Sequence, residues 1–140
     1  MTDHEQIANT LSRFMNCFDL KDWKLMEELL APTVKVDYAD LRGGPPSSIS
    51  SREYAKLRSE ALQELATHHV LANLDIEALD DAATVSASCL IFRSDGSKSF
   101  NSHAFYRFTL SEKDGAWRIA AITQRILWNE GDPSIHKGAK

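Results

Sequence analysis

A chain of 140 residues is the size of one domain, long enough to bury roughly two thirds of its unfolded surface. Hydrophobic residues make up 43% and charged residues 26%, an ordinary globular balance, and the net charge of −4 disfavours nucleic acid, whose phosphates would be repelled. No apolar run approaches the roughly 20 residues of a membrane span. The two cysteines, Cys17 and Cys89, are too few for a disulfide framework and stand in no metal-ligand spacing.

The opening stretch Met1-Thr2-Asp3-His4-Glu5-Gln6 is acidic and polar, so it does not read as a signal peptide. The expectation is a single domain over 1–140 with a polar tail at 130–140, in a reducing, cytoplasmic compartment. Thr2-x-x-Glu5 is a capping box, and behind it Ile7, Leu11, Phe14 and Phe18 recur at helical spacing, which predicts a helix from about Asp3 to Phe18. A second helix is expected from about Lys21 to Leu30, with Trp23, Met26 and Leu30 on one face, ended by Pro32. Thr33 to Ala39 alternates as a strand does, with Val34, Val36 and Tyr38 on one face. Arg42-Gly43-Gly44-Pro45-Pro46-Ser47-Ser48 reads as a mobile loop. Ser50-x-x-Glu53 opens a third helix with Tyr54, Leu57, Ala61 and Leu65 inward.

From His68 onward the period changes to two. Val70, Ala72, Leu74 and Ile76 alternate with other positions, and long strands are expected at Ala83–Phe92, Phe100–Leu110 and Trp117–Trp128. Asp80-Asp81, Ser94-Asp95-Gly96-Ser97 and Lys113-Asp114-Gly115 supply turns between them. Helices first and an antiparallel meander second give an α+β fold: three N-terminal helices packed on a strongly curved, mostly antiparallel sheet, a cone-shaped barrel enclosing a pocket.

Histidine is the default acid or base near neutral pH. Of the five, His4 and His136 lie near the termini and are expected in solvent. His68 and His69 are adjacent on a strand, so one faces in and the other out, which makes them a poor metal pair. Asp19 reads equally as an N-cap for the second helix or as a functional carboxylate, and Arg93 and Arg125 as ordinary surface charges. Trp23, Trp117 and Trp128 favour core roles. There is no Gly-rich phosphate loop, dinucleotide fingerprint, GxSxG or HExxH, so neither cofactor nor metal is expected.

Several segments together carry a resemblance. Phe18-Asp19-Leu20-Lys21-Asp22-Trp23 and Leu30-Ala31-Pro32-Thr33-Val34-Lys35-Val36-Asp37-Tyr38 resemble the start of scytalone dehydratase. So do His69, His103, Gly115-Ala116-Trp117-Arg118-Ile119-Ala120 and Ile126-Leu127-Trp128-Asn129-Glu130. The resemblance implies the SnoaL-like branch of the nuclear-transport-factor-2-like fold. It implies His69 as proton shuttle, Asp19 as its orienter and Tyr38 as donor to a carbonyl, with Phe18, Trp23, Phe14, Leu57, His103, Tyr106 and Trp128 around the substrate. One family tyrosine is replaced by Phe18, the second-strand histidine has no match, and the hydroxyl-binding Ser and Asn appear as Ala104 and Tyr106. The function implied is a cofactor-free dehydratase acting on a small cyclic or aromatic hydroxy-carbonyl compound. An isomerase or cyclase of a polyketide- or steroid-like substrate, or a non-catalytic ligand-binding domain, are the alternatives. Relatives further imply a homodimer or homotrimer through the open sheet face, and neither a membrane nor a nucleic-acid partner.

Overall fold

A computed structural model describes residues 1–136. Helix α1 spans Asp3–Leu20 and α2 Trp23–Leu29; strand β1 spans Leu30–Asp37. A one-turn helix α3 (Ala39–Arg42), strand β2 (Ser47–Ser50) and helix α4 (Ser51–Ala61) follow. Four long strands complete the chain: β3 Ala66–Leu79, β4 Ala82–Ser94, β5 Phe100–Lys113 and β6 Ala116–Gly131, with a 3-10 turn at Pro133–Ile135.

Local chemistry sets the boundaries. Thr2 and Glu5 form the reciprocal capping box of α1, at 3.2 and 2.9 Å. The helix stops where Lys21 turns left-handed, at φ 55°. Asp22 caps α2 by accepting from the Leu25 amide at 3.1 Å, and Ser50 caps α4 by accepting from the Glu53 amide at 3.0 Å. Asp114 and Gly115 both have positive φ, as a two-residue hairpin between β5 and β6 requires.

The sheet has the order β2-β1-β6-β5-β4-β3. Strands β3 to β6 form the expected antiparallel meander, while β1 runs parallel to β6 and carries β2 antiparallel on its outer edge. The sheet curls without closing, so the expected barrel is an open cone with edges at β2 and β3. The stretch read as a loop stays without helix or strand at residues 43–46, but its ends belong to two short elements, α3 at Arg42 and β2 at Ser47 and Ser48. Ser47–Ser50 pairs with Thr33–Val36, and α3 brings Leu41 and Arg42 to the cavity described below. Strand β6 runs on to Gly131, opposite Phe100, into the stretch read as a polar tail.

The apolar stripe of α1 (Ile7, Leu11, Phe14, Met15, Phe18) is buried with Met26 and Tyr54 against the inner face of the sheet. That face is built from Val85, Cys89, Ile91, Phe108, Leu110, Ile119 and Ile122. Each such large side chain contributes roughly 1.5–3 kcal/mol by leaving water. Cys17 and Cys89 are free and buried, and burial pushes their thiols up to about 11 and about 12, which removes them as nucleophiles.

One irregularity decides which side chains enter the cone. Strand β3 carries a bulge between Ala72 and Asp75, with Asn73 left-handed at φ 56°. Before it, Thr67, His69 and Leu71 face inward and His68, Val70 and Ala72 face out; after it, Leu74 and Ile76 face inward. The alternation read from Val70 to Ile76 is therefore broken. Its first half belongs to the outer face.

Candidate active site

The site begins with Asp19, in the last turn of α1. Because Asp22 caps α2, Asp19 is released from the capping role that its position suggested. Its carboxylate turns instead to the start of β3. Oδ1 lies 2.7 Å from His69 Nδ1 and accepts from Thr67 Oγ1 at 3.0 Å; Oδ2 accepts from the His69 amide at 2.9 Å. Three donors thus converge on one carboxylate. Burial raises the Asp19 carboxyl, but the His69 ring, the His69 amide and Thr67 outweigh it and hold Asp19 below the ordinary range.

An ionised Asp19 fixes the His69 tautomer: Nδ1 carries the proton and donates it, leaving Nε2 as the lone pair toward the cavity that His69 lines. The His69 side chain is 6% exposed and stacks on Phe18, with ring centroids 4.5 Å apart. Burial lowers its pKa more than Asp19 raises it, so the imidazole is neutral at pH 7. His68 faces solvent beside Phe92.

Opposite lie Tyr38, at the end of β1, and Tyr54 of α4, with their hydroxyls 2.5 Å apart. Burial raises the Tyr54 pKa well above its usual value, so its hydroxyl keeps its proton. Two guanidiniums stack over the same ring: Arg42 at 5.2 Å and Arg58 at 5.4 Å from the Tyr38 centroid, Arg58 also covering Tyr54 at 5.2 Å. Arg93 reaches in from β4, donating to Ser102 Oγ at 2.9 Å. Burial, then the charge of Arg58, pushes Arg42 down to about 10; burial does the same to Arg93. Gln124 Nε2 donates to the Tyr106 hydroxyl at 2.9 Å.

The cavity is lined by Phe18, Tyr38, Arg42, Arg58, His69 and Tyr106, among others. Its water-accessible volume is about 30 Å³, so a substrate larger than a few waters enters with movement of its walls. The neighbouring Gly43 and Gly44, both at positive φ, join α3 to the loop before β2 in a conformation that glycine adopts without strain.

Of the residues expected at the site, His69, Tyr38, Phe18 and Tyr106 line the cavity, Asp19 stands behind His69, and the other five lie elsewhere. Phe14 lies one helical turn behind Phe18 in the core, packed on Phe18 and Tyr54. Trp23 packs against the core from the side, and Leu57 is 37% exposed. His103 and Trp128 stack on each other outside the sheet, 4.0 Å apart, because Ser102, Ala104 and Tyr106 take the inward positions of β5. Two expectations of exposure also fail: Arg93 is 4% exposed, and His136 is 4% exposed, folded back by the 3-10 turn to line the cavity and meet Phe100 edge-on.

Sequence reasoning passed over Thr67, Arg42, Arg58, Arg93 and Gln124. Two signals were available. Cys89, Ile91 and Arg93 share the parity of an inward face, and Tyr54, Arg58 and Leu62 are spaced four apart on one helical stripe. Nothing local marks Arg42.

The open α+β cone agrees in fold with known proteins. The SnoaL-like domain model matches residues 1–123, and the chain belongs to that family. It is similar to scytalone dehydratase arp1 of Aspergillus fumigatus, 21% identical, covering 91% of this chain and 84% of the relative. It is also similar to dehydratase GME11372 of Pestalotiopsis microspora, 26% identical over 81% and 79% of the two chains. Among solved structures, the Kfla4162 protein of Kribbella flavida has the same fold, with a TM-score of 0.88, 18% identity and 95% of each chain covered. No helix among the described residues is long and apolar enough to cross a membrane.

Proposed function

We propose that this protein is a cofactor-free dehydratase that eliminates water from a small cyclic or aromatic hydroxy-carbonyl compound. The observation that carries the reading is the Asp19–His69 pair, whose 2.7 Å contact holds a neutral imidazole with its basic nitrogen toward a cavity. His69 Nε2 takes the proton α to the carbonyl, and the C–H electrons move into an enolate. Tyr38, aligned by the Tyr54 hydroxyl, donates to the developing oxyanion. The Arg42 and Arg58 charges over its ring favour that negative charge. The His69 imidazolium then protonates the leaving hydroxyl, the C–O bond breaks, the carbonyl re-forms beside a new C=C bond, and water departs. Asp19 supports the transient imidazolium. The names of two relatives, both dehydratases, support the same chemistry.

The test is exchange and turnover. The wild type should catalyse exchange of the α-proton with deuterated solvent and form an unsaturated product; His69→Ala should lose both by roughly 10²–10⁴-fold. Full activity in His69→Ala would refute the reading.

The outer sheet face carries the second part of the proposal. Val70, Leu90, Phe92, Phe105 and Trp128 are all at least 37% exposed there, an apolar surface suited to pairing with another copy. We expect a homodimer or homotrimer by sedimentation, made monomeric by Phe92→Glu with Phe105→Glu. The two unpaired, buried thiols suit a cytoplasmic setting.

A further inference from the structure

The cavity is unusual in its charge. Three arginines line it, Arg42, Arg58 and Arg93, and no aspartate or glutamate lies among its lining residues. The Asp19 carboxylate is already engaged by His69 and Thr67. Asp40, two residues from Arg42, is turned away and accepts from the Ile126 amide at 3.1 Å. Among the described residues, none of the three arginines forms a salt bridge. Arg42 Nε and Arg58 Nε are buried without a hydrogen-bond partner. What holds the two side chains is stacking on Tyr38 and Tyr54, and what holds Arg93 is Ser102 Oγ, the Phe100 carbonyl and the Phe100 ring.

Guanidinium groups keep their charge at physiological pH. A buried charge without an opposite partner is costly, so a cluster of three persists where something else repays it. The planar guanidinium fork matches a carboxylate, with two parallel N–H···O bonds. The apolar part of the lining is Phe18, Leu41, Leu62 and Ile91, and His69, His136, Gln124, Tyr38 and Tyr106 complete it. Apolar and cationic groups in one cavity fit an organic body with one anionic end.

We propose that the ligand of this cavity is a small organic acid whose carboxylate sits on Arg42 and Arg58 beside the Tyr38 hydroxyl, with Arg93 as the third positive charge. The inference rests on the cavity being the substrate site, and it narrows the substrate to a hydroxy-carbonyl compound that also bears a carboxylate. The carboxylate anchors the molecule; the carbonyl and its α-proton lie between Tyr38 and His69. Gln124 Oε1, buried without a donor, is placed to accept from a substrate hydroxyl.

Binding of simple probes tests this without knowledge of the natural substrate. Acetate and benzoate are compared with their neutral counterparts, acetamide and benzamide, by calorimetry and by thermal shift. Each acid should bind at least about tenfold more tightly than its amide, as charge-assisted hydrogen bonds require, and should raise the melting temperature. The preference should collapse in Arg58→Met and in Arg42→Met. The second variant guards against misfolding of the first, because Arg42 is half-buried on the one-turn helix α3 at the rim. Amides binding as well as acids, acids that fail to bind at millimolar concentration, or a preference unchanged in both variants would overturn the proposal. Inorganic phosphate displacing benzoate at lower concentration would make this a phosphate site and overturn it too. His69→Ala separates the two readings. It should keep the preference for acids while losing proton exchange, so a failed preference sinks the anionic ligand and retained exchange sinks the catalytic role.

Discussion

Asp19→Asn is the substitution whose outcome the geometry defines most closely. The carboxylate accepts three bonds and donates none: from His69 Nδ1 at 2.7 Å, the His69 amide at 2.9 Å and Thr67 Oγ1 at 3.0 Å. Asparagine has one acceptor oxygen and an NH2 group that donates. If the NH2 takes the Oδ2 position, it faces the backbone N–H of His69, donor against donor, which costs about 1–3 kcal/mol for an unsatisfied buried group. If it takes the Oδ1 position, Thr67 rotates its hydroxyl and the imidazole moves its proton to Nε2, so every group is satisfied. The second arrangement is lower in energy, and it leaves His69 with no lone pair toward the cavity. The fold should therefore survive with a loss of at most about 1–3 kcal/mol in urea titrations. Meanwhile kcat should fall by roughly 10²–10⁴-fold. Nitrogen chemical shifts of the His69 ring should report the change of tautomer directly. Unchanged kcat, or a ring still protonated on Nδ1, would refute the reasoning.

Stability and rate should both depend on pH through this pair. His69 sits below its ordinary value of 6.5, so the unfolded chain binds a proton that the folded chain refuses, and stability falls as pH drops below about 6.5. Asp19, held below 3.8, adds stability present above that value and lost as pH falls further through its depressed pKa; acid titrations of unfolding free energy should show both losses. The acid limb of kcat/KM should lie below 6.5, and rates that rise as His69 becomes protonated would contradict its role as base. Tyr38→Phe should lower kcat more than it raises KM, and Tyr54→Phe should do the same to a smaller degree by freeing Tyr38 from its partner; equal kcat in both variants would remove the oxyanion role. Asn73→Val places a β-branched residue at φ 56° and should destabilise by about 1–2 kcal/mol in urea, whereas Asn73→Gly should not. His136→Ala should raise KM because His136 lines the cavity, while His4→Ala, exposed on α1, should leave both constants unchanged.

The helices and the long strands were legible because their signals are local. The capping boxes at Thr2 and Ser50, the three-to-four spacing of Ile7 to Phe18, and the turn residues at Asp114-Gly115 act within a few residues of chain. Period two also sets Tyr106 and His103 on opposite faces of β5, which conflicts with the expectation that both surround the substrate, and only the structure says that Tyr106 is the one inside. The Asp19–His69 pair was reached through likeness to a family rather than through pattern. By simple alternation, His68 shares a face with Val70, Leu74 and Ile76 and would point inward. A single left-handed residue, Asn73, shifts the register and reverses that result. Asparagine tolerates the left-handed conformation better than most residues, but that preference alone does not fix where along β3 the bulge falls.

Tertiary structure alone decided the rest. Strand β2 exists because β1 offers an edge, so Ser47 and Ser48, at the end of a stretch that looks like a loop, gain partners only when β1 is in place. Arg42, Arg58 and Arg93 come from a one-turn helix, a longer helix and a strand, and their shared cavity follows from how those elements close over Tyr38. A charge pattern along the chain reports the residues it contains, not the distances between them. Whether an arginine meets water, a carboxylate or two other arginines is set by packing between elements far apart in sequence, and that is where the character of this site is determined.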